Sequence, residues 1–310
     1  MRSFDAAATR EALPFDRLIP ALRSLFASGC TVPQRHVHEI VNAGGLQFTS
    51  LIMPAWLEGR YYGIKTINIA NGNAKHGLPG LHASYVLYHG LTGVPLALID
   101  GDQITTRRTA AASALAASYL ARADASRLLI VGAGQIAALL ADAFRAVRPI
   151  EQVAVWARSP AQAERLVGSL QARGIPASRA GSLEAAVRQA DIVSCATLAA
   201  QPVIEGRWLQ AGAHLDLIGS FTPAMREADD DCFVGASLFV DTEEAFEKSG
   251  DLLGPMQRGV LRASDLCGTL TTLSRCEAPG RRTAAERTVF KAVGTALEDL
   301  AAAIQVVEHA

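Results

Sequence analysis

At 310 residues and 32.7 kDa the chain is long for one compact core, and two packed units are the expectation. Half of its residues are hydrophobic, 19% are charged and the formal net charge is -1, so a large core can form while no strong surface field points to nucleic acid or an acidic polymer. Five scattered cysteines without a C-x-x-C pair, and no apolar run of signal or membrane-spanning length, lead to the expectation of reduced thiols in a cytoplasmic protein with no membrane partner.

In chain order, the first notable residue is Arg35, shortly after Pro33. His36 and His38 alternate behind it along a strand-like segment, and with no third ligand at supporting spacing they read as a polar face, so no metal site is expected. Val37 to Asp100 is rich in Gly, Tyr, Thr and Asn, with hairpin-like interruptions at Glu58-Gly59, Asn71-Gly72 and Thr92-Gly93; this predicts a mostly antiparallel sheet. Inside it Lys65 is flanked by Gly63, Ile64 and Ile67. A half-buried ammonium there needs an anion, which a substrate carboxylate would supply; the plainer reading is a strand-edge lysine that discourages aggregation. Arg108 stands at the expected start of an Ala-rich helix, Thr109 to Ala121, where a guanidinium and free backbone donors favour phosphate or carboxylate, an ordinary surface arginine being the alternative.

Between Leu128 and Thr242 short apolar runs alternate with helix-length segments, the pattern of a doubly wound parallel sheet, and the domain built on it is expected over residues 108–289. Strands are expected at Arg127–Val131, Gln152–Trp156, Asp191–Ala196, His214–Ile218 and Leu238–Asp241, with helices over Gln135–Val147 and Pro160–Arg173. The strand Leu128 to Val131 runs into Gly132-Ala133-Gly134-Gln135-Ile136-Ala137, the strand, turn and helix context of a dinucleotide fingerprint. Gly132 permits the tight turn, Gly134 lets backbone approach a pyrophosphate, and free N–H groups at the helix start face it. The second strand ends Trp156-Ala157-Arg158-Ser159, where an NAD site usually places a carboxylate. A guanidinium and a hydroxyl there suit a 2'-phosphate, so NADPH is favoured and NADH remains possible as cofactor. Finally, Ala284 to Val307 carries apolar residues at helical spacing and is expected to return to the first domain, which then comprises residues 1–107 and 290–310. Neither a G-x-S-x-G elbow, an H-E-x-x-H pair nor a P-loop occurs, which leaves hydrolase chemistry without support.

Met53-Pro54, Gly63-Ile64-Lys65, Thr92 to Ala97, Arg108-Thr109-Ala110-Ala111, Gly132-Ala133-Gly134-Gln135 and Gly294 to Leu300 together resemble the ornithine cyclodeaminase and mu-crystallin family over nearly the whole chain. The resemblance implies an α/β protein: a Rossmann-type parallel-sheet domain beside a discontinuous α+β domain for substrate binding and dimerisation, assembled as a homodimer. It implies that Arg35, Lys65 and Arg108 grip a substrate carboxylate, with Lys65 the catalytic candidate. Arg108 and Thr109 would also lie near the cofactor phosphates, Ala157, Arg158 and Ser159 would face the adenine ribose, Thr197 would follow the fourth strand at the cofactor, and Val293 would stand beside the nicotinamide and substrate. Cyclodeaminases of the family look to need an acidic residue where this chain has Phe221, in Gly219-Ser220-Phe221-Thr222-Pro223. Phenylalanine cannot accept a proton. The nearest branch is therefore reduction of a cyclic ketimine carboxylate, pyrroline-2-carboxylate to L-proline or piperideine-2-carboxylate to L-pipecolate; cyclodeamination and a non-catalytic ligand-binding crystallin-like role are the alternatives.

Overall fold

The computed structural model describes residues 1–42 and 45–309, and the chain divides into two compact units, Met1–Arg108 with Thr295–Ala310, and Thr109–Gly294. Unit 1 opens with β1 (Arg2–Phe4), α1 (Ala6–Ala12) and α2 (Phe15–Ser28). Then come β2 (His36–Asn42), β3 (Gly45–Leu57), β4 (Tyr61–Ile69), β5 (Leu81–His89) and β6 (Pro95–Asp100). They form one six-stranded sheet in the order β1-β6-β5-β4-β3-β2, antiparallel except where β1 joins β6. The antiparallel expectation holds, and the turns at Gly59 (φ 70) and Gly93 (φ 69) use the left-handed backbone that glycine adopts without strain. The third interruption is not a tight hairpin. Residues 71–76 instead make a 3-10 turn, in which the Asn73 backbone N–H donates to the Ala70 carbonyl and its side-chain amide to the Pro79 carbonyl.

Along β4 burial alternates: Gly63, Lys65 and Ile67 are buried while Tyr62, Ile64 and Thr66 are only partly so. A lysine at an odd position of this strand therefore lies on the core face. The next helix, α3 (Gly101–Leu120), starts eight residues before the expected Thr109, because Asp100 caps it through the Gln103 N–H at 2.8 Å and Gln103 to Arg108 continue it without a breaker. Arg108 is thus the eighth helical residue, and the argument that placed it beside free helix-start donors does not hold.

Unit 2 continues with β7 (Arg127–Val131), α4 (Ala137–Arg145), β8 (Gln152–Trp156), α5 (Pro160–Ala172), β9 (Ala177–Arg179), α6 (Leu183–Val187) and β10 (Ile192–Cys195). It closes with β11 (His214–Leu217), β12 (Ser237–Val240), α7 (Ala245–Lys248), α8 (Gly250–Gln257), β13 (Leu266–Thr269), α9 (Leu270–Ser274) and β14 (Thr288–Lys291). Its eight strands run parallel in the order β13-β12-β14-β11-β10-β7-β8-β9. The chain winds outward from β7 through β9 and then returns to the other side of β7 with β10. That reversal is the switch point at which such sheets bind ligands, beyond the carboxyl ends of the strands.

The continuous helix expected from Ala284 is corrected by β14, which enters the sheet between β11 and β12. Thr288, Val289 and Phe290 are β-branched or aromatic and all four strand residues are buried, so packing within the sheet overrides the helical spacing. Gly294 (φ 80) ends this stretch, and α10 (Ala296–His309) alone returns to unit 1, where it packs on α2 and on β3, β4 and β5. The return therefore falls after Gly294, and not at residue 290. Among the described residues no helix is long and apolar enough to cross a membrane.

Candidate active site

In unit 1 the fully buried Lys65 ammonium lies 2.6 Å from Asp299 Oδ2. Arg108 reaches the same carboxylate, Nε to Oδ1 at 2.9 Å, and its Nη1 is 2.5 Å from Glu298 Oε2. Glu298 and Asp299 belong to the first turn of α10, where the helix dipole favours carboxylates. Burial pushes the Lys65 ammonium down to about 8; Asp299 opposes that shift and Arg108 adds to it. Directly across the sheet from Lys65 stands Tyr85, also buried, its phenol pushed up by burial and then by Asp299. Gly63 makes room for it, since a Cβ there would sit 1.9 Å from the Tyr85 hydroxyl oxygen.

This cluster changes the reading of Lys65. The ammonium is buried rather than half-buried, and its anion is supplied from within by Asp299. An ammonium carries three donors, so one carboxylate leaves capacity for a second anion but does not demand it. The pairing brings Lys65 and Arg108 together through one carboxylate. Arg35 is partly exposed just before β2, whose first pair is His36↔Ile52; the next residue of β3, Met53, pairs with Lys65. Thr109 follows Arg108 along α3 and is buried. His36 and His38 are exposed on the outer strand, and no group of three or more His, Cys, Asp or Glu side chains placed for a metal occurs among the described residues.

In unit 2 the glycine loop has the shape a dinucleotide needs. Gly132 (φ 123) turns the chain out of β7, and a Cβ there would lie 2.4 Å from the Ala196 carbonyl oxygen. A Cβ at Gly134 would meet nothing within 4 Å, so this glycine is required by neither packing nor a left-handed backbone. Ala133, Gln135 and Ile136 lead into α4, whose N-terminus no side chain caps; the Ala138 and Leu139 N–H groups donate to the Gly134 and Ile136 carbonyls, and the positive end of the helix dipole faces the loop. One strand across, Ala157 and the exposed Arg158 follow β8, and Ser159 precedes α5 without using its hydroxyl as a cap.

Beyond the carboxyl ends of β10, β11 and β14 lies a set of buried charges with no conspicuous motif. Glu227 Oε1 accepts from the Thr197 N–H and hydroxyl, both at 2.8 Å, and Oε2 accepts from the N–H groups of Gly219 and Ser220 at 2.7 and 3.3 Å. Asp251 accepts from the N–H groups of Glu227 and Ala228, and Lys291 Nζ lies 3.2 Å from its other oxygen. Asp241 accepts from the N–H groups of Val293 and Gly294. Thr197 and Val293 are thus both held by buried carboxylates, and the glycine loop adjoins Ala196. Sequence reasoning missed Asp299, Glu298, Tyr85, Glu227, Asp251, Asp241 and Lys291. The available signal was charge inside apolar runs, as in Ala296-Leu297-Glu298-Asp299-Leu300-Ala301 and Val289-Phe290-Lys291-Ala292.

A family model described as the ornithine cyclodeaminase/mu-crystallin family matches residues 22–310. A Delta(1)-pyrroline-2-carboxylate reductase of Paracoccus denitrificans is 43% identical over 274 residues, covering 88% of this chain and 86% of that protein. Among solved structures, the Thermococcus litoralis Delta(1)-pyrroline-2-carboxylate reductase in complex with NADH and L-proline superposes with a TM-score of 0.93 at 31% identity, covering 100% of this chain and 97% of the other. An archaeal alanine dehydrogenase dimer with bound NAD gives 0.92 at 29% identity, covering 100% and 95%.

Proposed function

The chain belongs to the ornithine cyclodeaminase/mu-crystallin family, and from that premise we propose that it reduces a cyclic ketimine carboxylate, of the pyrroline-2-carboxylate kind, to the cyclic amino acid. The observation that carries the reading is the buried pair Lys65 and Arg108, two cations brought together through Asp299, in a chain that also has the open Gly134 loop. Arg35, Lys65 and Arg108 hold the carboxylate, and a substrate kept away from water needs only orientation and a protonated ring nitrogen. The nicotinamide supplies hydride to the imine carbon when bound. Val293 and Thr197 shape its pocket from backbone positions fixed by Asp241 and Glu227. Phe221, 39% exposed after β11, offers no base for loss of ammonia.

Purified protein mixed with pyrroline-2-carboxylate and NADPH is expected to consume the nucleotide, followed by its absorbance; no consumption at millimolar substrate rules the reductase reading out. NADPH is the preferred donor because Arg158 and Ser159 follow β8, where a dinucleotide fold usually reads the adenine ribose, and a guanidinium with a hydroxyl not used as a cap suits a 2'-phosphate. Arg158→Ala is expected to raise the KM for NADPH about tenfold, the worth of one charge-assisted contact, while that for NADH stays within a factor of two. Equal effects on both nucleotides would remove Arg158 from phosphate recognition.

A homodimer completes the proposal. The helices of unit 1 cover one face of its sheet, and the other presents Pro54, Trp56, Tyr62, Ile64, Val86 and Tyr88, all partly exposed, with Ile40 exposed on the edge strand β2. A sheet face this apolar fits a second copy of the same face. Sedimentation is expected to give twice 32.7 kDa for the native protein and 32.7 kDa for Val86→Glu; a monomeric native protein refutes the dimer.

A further inference from the structure

We propose that Glu227 is a positioning residue for the dinucleotide, clamping the ends of β10 and β11 together at the switch point of the parallel sheet; this rests on the nucleotide-binding reading of unit 2. The clamp is a single buried carboxylate with four donors, two from Thr197 and one each from Gly219 and Ser220. It draws the two strand ends so close that a Cβ on Gly219 would sit 2.0 Å from the Thr197 carbonyl oxygen and 2.4 Å from Glu227 Oε1. Thr197 directly follows Ala196, whose carbonyl Gly132 must clear, so the segment held by Glu227 borders the glycine loop across the switch point.

A fully buried charge is costly, and an apolar side chain would fill the space at lower cost. What the carboxylate gives that an apolar group cannot is a fixed separation between two loops, with all four donors satisfied. The clamp is itself held from behind, where Asp251 of α8 accepts from the Glu227 and Ala228 N–H groups and faces Lys291 of β14. The groups around Glu227 are Asp251, Lys291, Cys195 on β10 and Asp216 on β11. One cation among three carboxylates leaves this region short of positive charge, and burial, with Asp251 adding to it against Lys291, pushes the Glu227 carboxyl up to about 7.

Only the ionised form can accept from all four donors. A protonated acid gives up one acceptor position: a proton on Oε2 opposes the Gly219 and Ser220 N–H groups, and a proton on Oε1 requires the Thr197 hydroxyl to reverse and accept, so the clamp is intact above about pH 7 and weakens as pH falls through that value. The strand ends then relax and nucleotide binding weakens. Nothing in the glycine loop itself titrates in that range.

NADH is the probe, because it lacks the 2'-phosphate that would itself titrate near pH 6. Binding to the full-length protein is followed by nucleotide fluorescence between pH 6 and 8, with melting temperatures recorded alongside. The native protein is expected to bind NADH about tenfold more weakly at pH 6 than at pH 8. Glu227→Gln, whose amide opposes two backbone donors with two of its own, is expected to bind about tenfold more weakly at pH 8 and to show no further loss at pH 6. Asp216→Asn is expected to keep the native pH dependence. A merely structural Glu227 would lower the melting temperature of Glu227→Gln and leave the pH dependence of binding parallel to the native curve; that result, or a pH dependence abolished by Asp216→Asn instead, overturns the proposal. A native protein that binds no NADH at any pH overturns the nucleotide reading itself, and the clamp with it.

Discussion

Lys65→Met is expected to raise the KM for pyrroline-2-carboxylate by about 30- to 150-fold, the equivalent of ~2–3 kcal/mol, if the buried ammonium makes the proposed charge-assisted contact to the substrate carboxylate. The measurement is steady-state kinetics with NADPH held at saturation. A second effect accompanies the first. Lys65 is paired with Asp299 at 2.6 Å with both side chains fully buried, so its loss leaves that carboxylate to Arg108 alone, and a broken buried pair costs ~3–5 kcal/mol of stability. The double variant Lys65→Met with Asp299→Asn separates the two. It removes the uncompensated charge, so the melting temperature is expected to recover most of its loss while KM stays high. Recovery of KM together with stability would mean that Lys65 serves only to pair Asp299. The pH profile gives an independent reading. The ammonium, lowered by burial to about 8, is the form that attracts a carboxylate, so KM is expected to rise as pH increases through 8 in the native protein and to stay flat there in Lys65→Met.

The parallel sheet was legible because its central strands, buried on both faces, spell continuous apolar runs such as Leu128 to Val131, and the glycine loop follows at once. What spacing alone could not show was β14. Its residues continue a helical pattern, and only their insertion between β11 and β12 makes them a strand. The same holds for Arg108, whose place within α3 depends on a cap at Asp100, eight residues upstream. In the candidate site, the cations stood out against their apolar neighbours, whereas the carboxylates that hold them did not. Asp299 lies 234 positions from Lys65 in sequence, and no local pattern joins a helix at the chain's end to the fourth strand of its beginning. Glu227 was hidden for the same reason: its four donors come from two loops whose proximity is created by the sheet.

The two glycines of the dinucleotide loop are expected to fail in different ways when substituted. At Gly132 a side chain meets the Ala196 carbonyl at 2.4 Å in a backbone conformation with φ 123, and β7 and β10 are hydrogen-bonded neighbours that cannot separate locally. Gly132→Val is therefore expected to lower the melting temperature by about 5 °C or more, consistent with ~2 kcal/mol of strain in a chain of this size, and to weaken nucleotide binding only as a consequence. At Gly134 a Cβ has nothing within 4 Å and the backbone is not left-handed, so Gly134→Val is expected to leave the melting temperature of the unliganded protein within about 1 °C. Its isopropyl group would occupy the open space at the start of α4 in which the proposed dinucleotide places its pyrophosphate, and NADPH affinity is expected to fall by at least ~100-fold, or ~2.7 kcal/mol. Calorimetric melting with and without NADPH reads both effects at once, because a ligand that binds the folded state raises its melting temperature according to its affinity. A Gly134→Val protein that NADPH stabilises as well as the native one would show that the loop, for all its resemblance to a fingerprint, does not carry the phosphates.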